Sequence, residues 1–126
     1  MDELFAGIEN SLNSVNEIKV ANFIRERQRE IFEFTCDLIR TPSINPPGDE
    51  REVSAVICQR LDQLGVKDVQ LLACDVTRPN VVAQVVGDKP GKRIMFSGHI
   101  DTKPPGDLSQ WKTNPLEAVV QGDQLI

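Results

Sequence analysis

The chain has 126 residues, and its 14 lysines and arginines against 19 aspartates and glutamates give a formal charge of −5. Its content of 40% hydrophobic and 26% charged residues is typical of a globular domain, or of part of one, and excludes collagen-like, low-complexity and wholly disordered chains. An acidic balance with only five phenylalanines and one tryptophan lacks the basic field and stacking rings of nucleic-acid binding. We therefore expect no nucleic-acid partner.

The spacing of the cysteines and the hydropathy of the chain indicate the cellular compartment in which the protein is expected. Cys36, Cys58 and Cys74 are widely spaced and form no Cys-x-x-Cys pair, which argues against a disulfide framework and a structural zinc knuckle. We expect these cysteines to be reduced and mostly buried. No basic and then apolar leader opens the chain, and no segment approaches the roughly 18 apolar residues of a membrane span. We therefore expect a cytoplasmic protein without a membrane partner.

The first predicted elements are a polar extension and a long helix. Residues 1–16 are rich in asparagine and serine without a sustained period, which predicts a loose or weakly helical extension. From Val20 to Leu38, apolar residues recur at the helical period, so an amphipathic helix follows. The residue before Pro42 is disfavoured in a helix, and the helix should therefore end near Arg40.

A second helix is predicted after the Asn-Pro-Pro-Gly sequence. Asp49 followed three residues later by Glu52 resembles a capping box, which satisfies the first free amides of a helix. The apolar residues from Val53 to Leu64 then fall on one stripe, whose plain interpretation is core packing. Gly65 stands where a left-handed residue commonly ends a helix.

Beyond Gly65 the apolar period changes to two, which predicts strands over residues 69–74 and 81–86. After the turn-forming residues 87–91, the unbroken apolar run Ile94-Met95-Phe96 is typical of a strand that is buried on both faces. We expect that strand to be central. Helices followed by such strands predict an α/β sandwich whose sheet is covered by helices on both sides.

The last residues predict a strand over 118–120, a turn over 121–124 that includes Asp123, and a returning strand at 125–126. An unpaired apolar strand is a sticky edge, so this pattern favours an N-terminal fragment of a longer polypeptide. The expected organisation is an extension over 1–16 and the N-terminal part of a truncated domain over 17–126.

Candidate chemistry centres on the only histidine. The dinucleotide, P-loop, serine-hydrolase and His-Glu-x-x-His signatures are absent from the sequence. His99 lies where the predicted central strand ends, the edge at which open α/β sheets bind ligands. In an extended backbone His99 and Asp101 share one face, and a carboxylate can orient an imidazole that binds metal. The plain alternative is a surface-loop histidine with a chance acidic neighbour.

Three ordered motifs carry a resemblance to a known family. They are residues 41–50 (TPSINPPGDE), residues 78–83 (RPNVVA), and residues 97–107 with Trp111 and Asn114-Pro115. Together they resemble the first metal motif and its upstream segments in the dinuclear zinc aminoacylase and carboxypeptidase family. That family includes acetylornithine deacetylase, succinyl-diaminopimelate desuccinylase, aminoacylase and glutamate carboxypeptidase. The similarity spans about residues 30 to 126.

The resemblance implies a role for each matching residue. His99 matches a ligand to one zinc, and Asp101 matches the catalytic-site carboxylate that holds this histidine in its binding tautomer. Residues 42–50 and 78–80 match structural positions, and Trp111 matches a packing residue whose indole N–H needs an acceptor. The implied fold is a three-layer αβα sandwich with a mixed sheet, of which this chain holds the N-terminal portion of the catalytic domain. The implied cofactor is zinc, as two ions in the complete enzyme, with cobalt as an alternative.

Two functions stay open at this point. The leading one is the N-terminal fragment of a zinc-dependent amidohydrolase or exopeptidase, which hydrolyses the amide bond of N-acyl amino acids or small peptides with a metal-bound water. The resemblance leaves a homodimer open for the complete enzyme. The other is a non-catalytic fragment or interaction module, which we favour for the isolated chain because catalytic zinc needs about three protein ligands. A small-molecule binder without metal is weaker, since no phosphate loop or aromatic box is present.

Overall fold

The computed structural model describes residues 14–122 and 124–126. Its first helix, α1, spans Val15–Glu26, and the second, α2, spans Gln28–Arg40. Ser14 begins α1 through a capping box, since its hydroxyl accepts from the Glu17 amide and the Glu17 carboxylate accepts from the Ser14 amide. The helix therefore begins within the extension predicted for residues 1–16, whose residues 1–13 lie outside the described part of the chain.

The single long helix predicted from Val20 to Arg40 is interrupted at Arg27. The backbone of Arg27 leaves helical geometry at φ −107° and ψ 10°, and its amide donates to the Ile24 carbonyl at 3.1 Å. The Arg27 guanidinium lies 3.7 Å from the centroid of the Phe23 ring, one turn earlier. The predicted end near Arg40 is confirmed, and the Thr41 backbone is extended as expected for a residue before proline.

The third helix, α3, spans Arg51–Gln63, as the apolar stripe predicts. The capping box predicted for Asp49 and Glu52 is wrong, because Glu50 is the N-cap and makes no side-chain cap bond. The Asp49 carboxylate instead accepts from the Arg51 amide at 3.2 Å and from Arg51 Nε at 2.9 Å. The predicted Gly65 cap is confirmed by its φ of +78° and by its amide donating to the Asp62 carbonyl.

Two antiparallel hairpins follow the helices. Strand β1 spans Asp68–Leu72 and pairs with β2 at Asn80–Gln84, in a register that sets Leu71 opposite Val81. Strand β3 spans Val120–Gln121 and pairs with β4 at Gln124–Leu125. These pairs confirm two strands between Gly65 and the turn at 87–91 and a terminal hairpin, whose strands lie at 120–121 and 124–125 instead of 118–120 and 125–126. Asp123, which was predicted in the turn of that hairpin, lies outside the described residues.

The predicted central strand at Ile94–Phe96 is wrong. These residues form no strand in the described part of the chain, and Ile94, Met95 and Phe96 are 80%, 88% and 93% exposed. A buried strand requires ladder partners and cover on both faces, and β1 and β2 pair only with each other. The three-layer αβα sandwich therefore stays a prediction, since the described residues form two separate two-stranded sheets.

The most buried residues include a group at the start of α3, where the Glu50 amide donates to the Thr77 carbonyl. Helix α3 packs against α2 and β2. The buried apolar side chains are those of Cys36, Val53 and Ala118, and three buried residues are polar or charged: Ser43, Glu50 and Ser54. Buried polar groups require partners, so this region is held by hydrogen bonds as much as by apolar contact.

Two further predictions concern the cysteines and the tryptophan. All three cysteines are free thiols, and burial differs among them: Cys36 is buried and Cys74 is exposed, so "mostly buried" is wrong for the set. The Trp111 indole donates to the Pro105 carbonyl at 2.8 Å, which confirms that its N–H has an acceptor. Among residues 14–122 and 124–126, no helix has the length and apolarity needed to cross a membrane.

Candidate metal-binding site

Two segments more than 50 residues apart in sequence are joined at the candidate site. Ile44 and Thr102 form an isolated parallel β-bridge. The Asn45 amide donates to the Thr102 carbonyl at 2.8 Å, and the Thr102 amide donates to the Ser43 carbonyl at 2.9 Å. The buried Ser43 hydroxyl adds a bond to the Ile100 carbonyl at 2.8 Å. These bonds hold the His99 loop against the loop between α2 and α3.

The predicted pairing of His99 and Asp101 is present. His99 Nδ1 lies 2.7 Å from the Asp101 carbonyl oxygen and 3.2 Å from Asp101 Oδ1. A carbonyl and an ionised carboxylate can only accept, so Nδ1 carries the proton that it shares with them. The neutral ring then leaves a lone pair on Nε2, and the His99 side chain is 83% exposed. This is the tautomer that a metal bound at Nε2 requires.

The other carboxylate oxygen of Asp101, Oδ2, faces two donors, the Asn45 side-chain amide and the Arg78 guanidinium. Asn45 Nδ2 donates to Asp101 Oδ2 at 2.8 Å, and Arg78 Nη2 lies 3.6 Å from the same oxygen. The Asn45 bond is the main cause that lowers the pKa of Asp101 below the usual aspartate value, with a smaller contribution from His99. The carboxylate is therefore ionised at neutral pH, with Oδ2 engaged and Oδ1 turned toward His99.

Arg78 is itself held by a buried carboxylate. Arg78 Nε donates to Glu50 Oε2 at 3.2 Å, and the Glu50 side chain is only 4% exposed. The bond to Glu50 is the main cause that raises the pKa of Arg78. The Glu50 amide also donates to the Thr77 carbonyl at 2.8 Å, which ties the start of α3 to the residue before Arg78. Glu50 Oε1 has no hydrogen-bond partner among the residues that the structure describes.

Gly48 permits the close approach of these groups. Its φ of +84° lies in the left-handed region that favours glycine. A Cβ at this position would lie 3.1 Å from Arg78 Nε, 3.2 Å from Arg78 Cζ and 3.2 Å from Glu50 Oε1. The glycine of the Asn-Pro-Pro-Gly sequence therefore leaves the space that the Arg78 guanidinium occupies.

A cleft of about 700 Å³ runs from these charged groups to an apolar wall. One end carries Glu50, Arg78, His99 and Asp101, and the wall includes Ile57 of α3 and β2 side chains. The exposed residues 95–98 border its remaining side. Such a cleft combines an apolar surface with a few polar groups, which is the usual composition of a small-molecule site.

The fit to a metal can be judged from the donors that the structure brings together. His99 fits a ligand, because its Nδ1 lies against two accepting oxygens of Asp101 and its side chain is 83% exposed. Within the described residues no group of three or more histidine, cysteine or acidic side chains could hold an ion. Residues 14–122 and 124–126 therefore place one zinc-ligand candidate beside a carboxylate, fewer than the three protein ligands typical of a catalytic zinc site.

Sequence reasoning identified His99 and Asp101 but missed the roles of three other residues. Asn45, Glu50 and Arg78 lie within the motifs that carry the family resemblance, at positions that the resemblance marks as structural. The structure brings all three into one network with Asp101. Their position within those motifs was the available signal, but no local pattern indicates that the motifs meet.

The site's geometry is that of a candidate metal-ligand loop. Sequence comparison shows that the chain is similar to proteins that are named as desuccinylases. The chain is 33% identical over 89 residues to succinyl-diaminopimelate desuccinylase of Xanthobacter autotrophicus, covering 68% of this chain and 22% of that protein. It is 34% identical over 88 residues to succinyl-diaminopimelate desuccinylase of Pseudomonas syringae pv. syringae, covering 70% and 22%. With the protein of the same name from Xylella fastidiosa, identity is 31% over 89 residues, covering 69% and 22%.

These similarities support the resemblance to the aminoacylase and carboxypeptidase family over part of the chain. The chain spans about a fifth of the length of the curated relatives it matches. No family model matches it. No solved structure matches it either.

Proposed function

We propose that this chain supplies a zinc-ligating segment of an amidohydrolase that acts on the amide bond of N-acyl amino acids or small peptides. The observation that carries the proposal is His99, whose Nδ1 faces two proton-accepting oxygens of Asp101 at 2.7 and 3.2 Å while Nε2 is exposed. The similarity to relatives named as desuccinylases supports the reaction class. The proposed fold of the whole protein is the three-layer sandwich, and a homodimer is compatible with it.

The proposed roles follow from the hydrogen bonds. His99 binds zinc through Nε2, and Asp101 orients the ring and strengthens it as a ligand. Zinc, when bound, supplies a Lewis acid that polarises the amide carbonyl and activates water. The Asn45 bond, the main cause that lowers the pKa of Asp101, leaves this carboxylate ionised and unable to donate to the imidazole.

A second candidate function is a non-catalytic module of the same fold. The small number of metal-ligand candidates among the described residues favours this function for the 126 residues alone. A catalytic zinc needs about three protein ligands. We therefore expect the isolated chain with added zinc to hydrolyse N-succinyl amino acids no faster than its His99→Ala variant. A zinc-dependent rate above that variant would show that this chain completes the site and would refute the module.

The metal role is tested on the isolated chain by following the ring nitrogens of its single histidine by NMR during zinc titration. Zinc should perturb Nε2, and Asp101→Asn should weaken this response by about 10- to 100-fold. Asp107→Asn is the matched control, because Asp107 lies in the same loop and bonds to Ser109 and Gln110 instead of His99. An equal response in the Asp101 and Asp107 variants, or no response at His99, would contradict the proposal.

The reaction class is tested by a segment exchange. The 88 residues of the Pseudomonas syringae desuccinylase that match this chain are replaced by the corresponding residues of this chain. The chimera should hydrolyse succinyl-diaminopimelate, and His99→Ala should abolish that activity. A folded, zinc-loaded chimera that is inactive, or one that is unaffected by His99→Ala, would refute the hydrolase assignment.

A further inference from the structure

Arg78 bridges two carboxylates that differ in their exposure to solvent, those of Glu50 and Asp101. Its Nε donates to Glu50 Oε2 at 3.2 Å, and its Nη2 lies 3.6 Å from Asp101 Oδ2. Glu50 is buried, with a side chain 4% exposed, whereas the Asp101 side chain is 30% exposed. Because the guanidinium is a rigid planar fork, fixing one end of it against Glu50 also fixes where the other end can meet Asp101.

The position of Glu50 is set by backbone contacts. Its amide donates to the Thr77 carbonyl at 2.8 Å, and its carbonyl accepts the Ser54 amide at 2.9 Å in the first turn of α3. Gly48 presents no side chain to the guanidinium, which approaches to within about 3.1 Å of where a Cβ would lie. The guanidinium is thus confined between the start of α3, the preceding glycine and Asp101.

Asp101 Oδ2 then has two donors, Asn45 Nδ2 at 2.8 Å and Arg78 Nη2 at 3.6 Å. A carboxylate whose Oδ2 is engaged from one side presents Oδ1 to the other side, where His99 Nδ1 lies at 3.2 Å, in addition to its 2.7 Å contact with the Asp101 carbonyl. Loss of the Arg78 contact would leave one amide bond to resist rotation of this carboxylate about its own side-chain torsions.

We propose that Glu50 and Arg78 are positioning residues, which hold the Asp101 carboxylate so that His99 keeps its proton on Nδ1 and leaves Nε2 free. The orientation of the ring is a property of this chain by itself. Its importance for zinc binding and hydrolysis rests on the proposed function, but the tautomer does not.

The experiment measures the tautomer of the single histidine. The two ring ¹⁵N shifts are recorded on the full chain without metal, in a pH series that is raised until the shifts stop changing. The wild-type chain should show mainly the Nδ1–H form. Arg78→Lys keeps a charge beside Glu50 but replaces the fork with a single ammonium, which cannot bridge both carboxylates in the same way.

We expect Arg78→Lys to lower the ratio of the Nδ1–H to the Nε2–H form about tenfold, equivalent to about 1.4 kcal/mol. Arg51→Lys is the matched control, because Arg51 also pairs with a carboxylate of this loop, Asp49, and does not contact Asp101. Its tautomer ratio should equal that of the wild type. The tautomer ratio of Glu50→Gln should fall between those of the wild type and Arg78→Lys, since the amide oxygen still accepts from Arg78 but carries no charge.

Arg78→Met provides the lower limit. If it remains folded by far-UV circular dichroism, its ratio should be at or below that of Arg78→Lys; if it unfolds, its histidine gives the ratio of an unrestrained ring. An Arg78→Lys ratio equal to the wild type would overturn the proposal and leave Arg78 as a structural tie. An effect of equal size in Arg51→Lys would overturn it as well. Neither outcome bears on whether zinc binds at His99.

Discussion

Replacing Gly48 by alanine tests whether the Arg78 guanidinium is confined as the structure shows. The substitution adds one methyl group at a position with φ +84°, and this group would lie 3.1 Å from Arg78 Nε and 3.2 Å from Arg78 Cζ. Two separate costs arise, one from the backbone conformation and one from the contact. A matched control separates them: Gly65 has φ +78°, and a Cβ there would meet no atom within 4 Å.

The magnitudes follow from these two terms. A left-handed backbone costs a residue with a Cβ about 1–2 kcal/mol, so Gly65→Ala should lower the free energy of unfolding by about that amount. Gly48→Ala incurs the same backbone cost, and moving the Arg78 side chain away from its rotamer adds about 0.5–1.5 kcal/mol. The difference between the two variants therefore isolates the contact of the new methyl group with Arg78 and Glu50, with an expected size of about 1 kcal/mol.

The assay is urea unfolding followed by far-UV circular dichroism, together with the His99 tautomer measurement. Gly48→Ala should be the less stable variant and should also shift the tautomer ratio toward that of Arg78→Lys. Gly65→Ala should leave the tautomer unchanged, because Gly65 lies at the far end of α3. Equal stabilities and equal tautomer ratios in the two variants would refute the reasoning that Arg78 is confined by Gly48.

Two further predictions concern other surfaces of the chain. The hydrogen bonds from Arg51 lower the pKa of Asp49 to about 2. The ionised pair therefore stabilises the fold fully above the ordinary aspartate pKa of about 3.9. This stabilisation is lost as the pH falls toward 2. In the Arg51→Gln variant the free energy of unfolding should fall less steeply over that pH range than in the wild type. Lys67→Gln, which removes the exposed pair with Asp62, is the charge control. Identical acid profiles for the wild type and Arg51→Gln would contradict the prediction. The exposed run Ile94–Phe96 should bind a hydrophobic dye, and Met95→Ser with Phe96→Ser should reduce the dye fluorescence severalfold more than Val76→Ser, a change at a single exposed valine; equal reductions would contradict it.

Local features of the fold could be predicted because their causes lie within a few residues. The end of α2 before Pro42 and the Gly65 cap depend on steric limits at single positions. The hairpin of β1 and β2 follows from two alternating segments that are close in sequence. The contact of His99 with Asp101 is also local, because the two residues are separated by one position.

Contacts between distant segments were decided by the tertiary structure. The capping role expected of Asp49 is replaced by its pairing with Arg51, while Glu50 is turned inward to Arg78. Ile94–Phe96 has the composition of a buried strand, but a strand is stable only with partners, which composition does not supply.

The candidate site divides in the same way. The sequence by itself determined that His99 and Asp101 share one local face, since backbone geometry sets the direction of alternate side chains. Only the tertiary structure decided that Asn45 and Arg78 meet at the same oxygen of Asp101, at 2.8 and 3.6 Å. Those contacts depend on the bridge between Ile44 and Thr102, which joins positions that no periodicity along the chain relates.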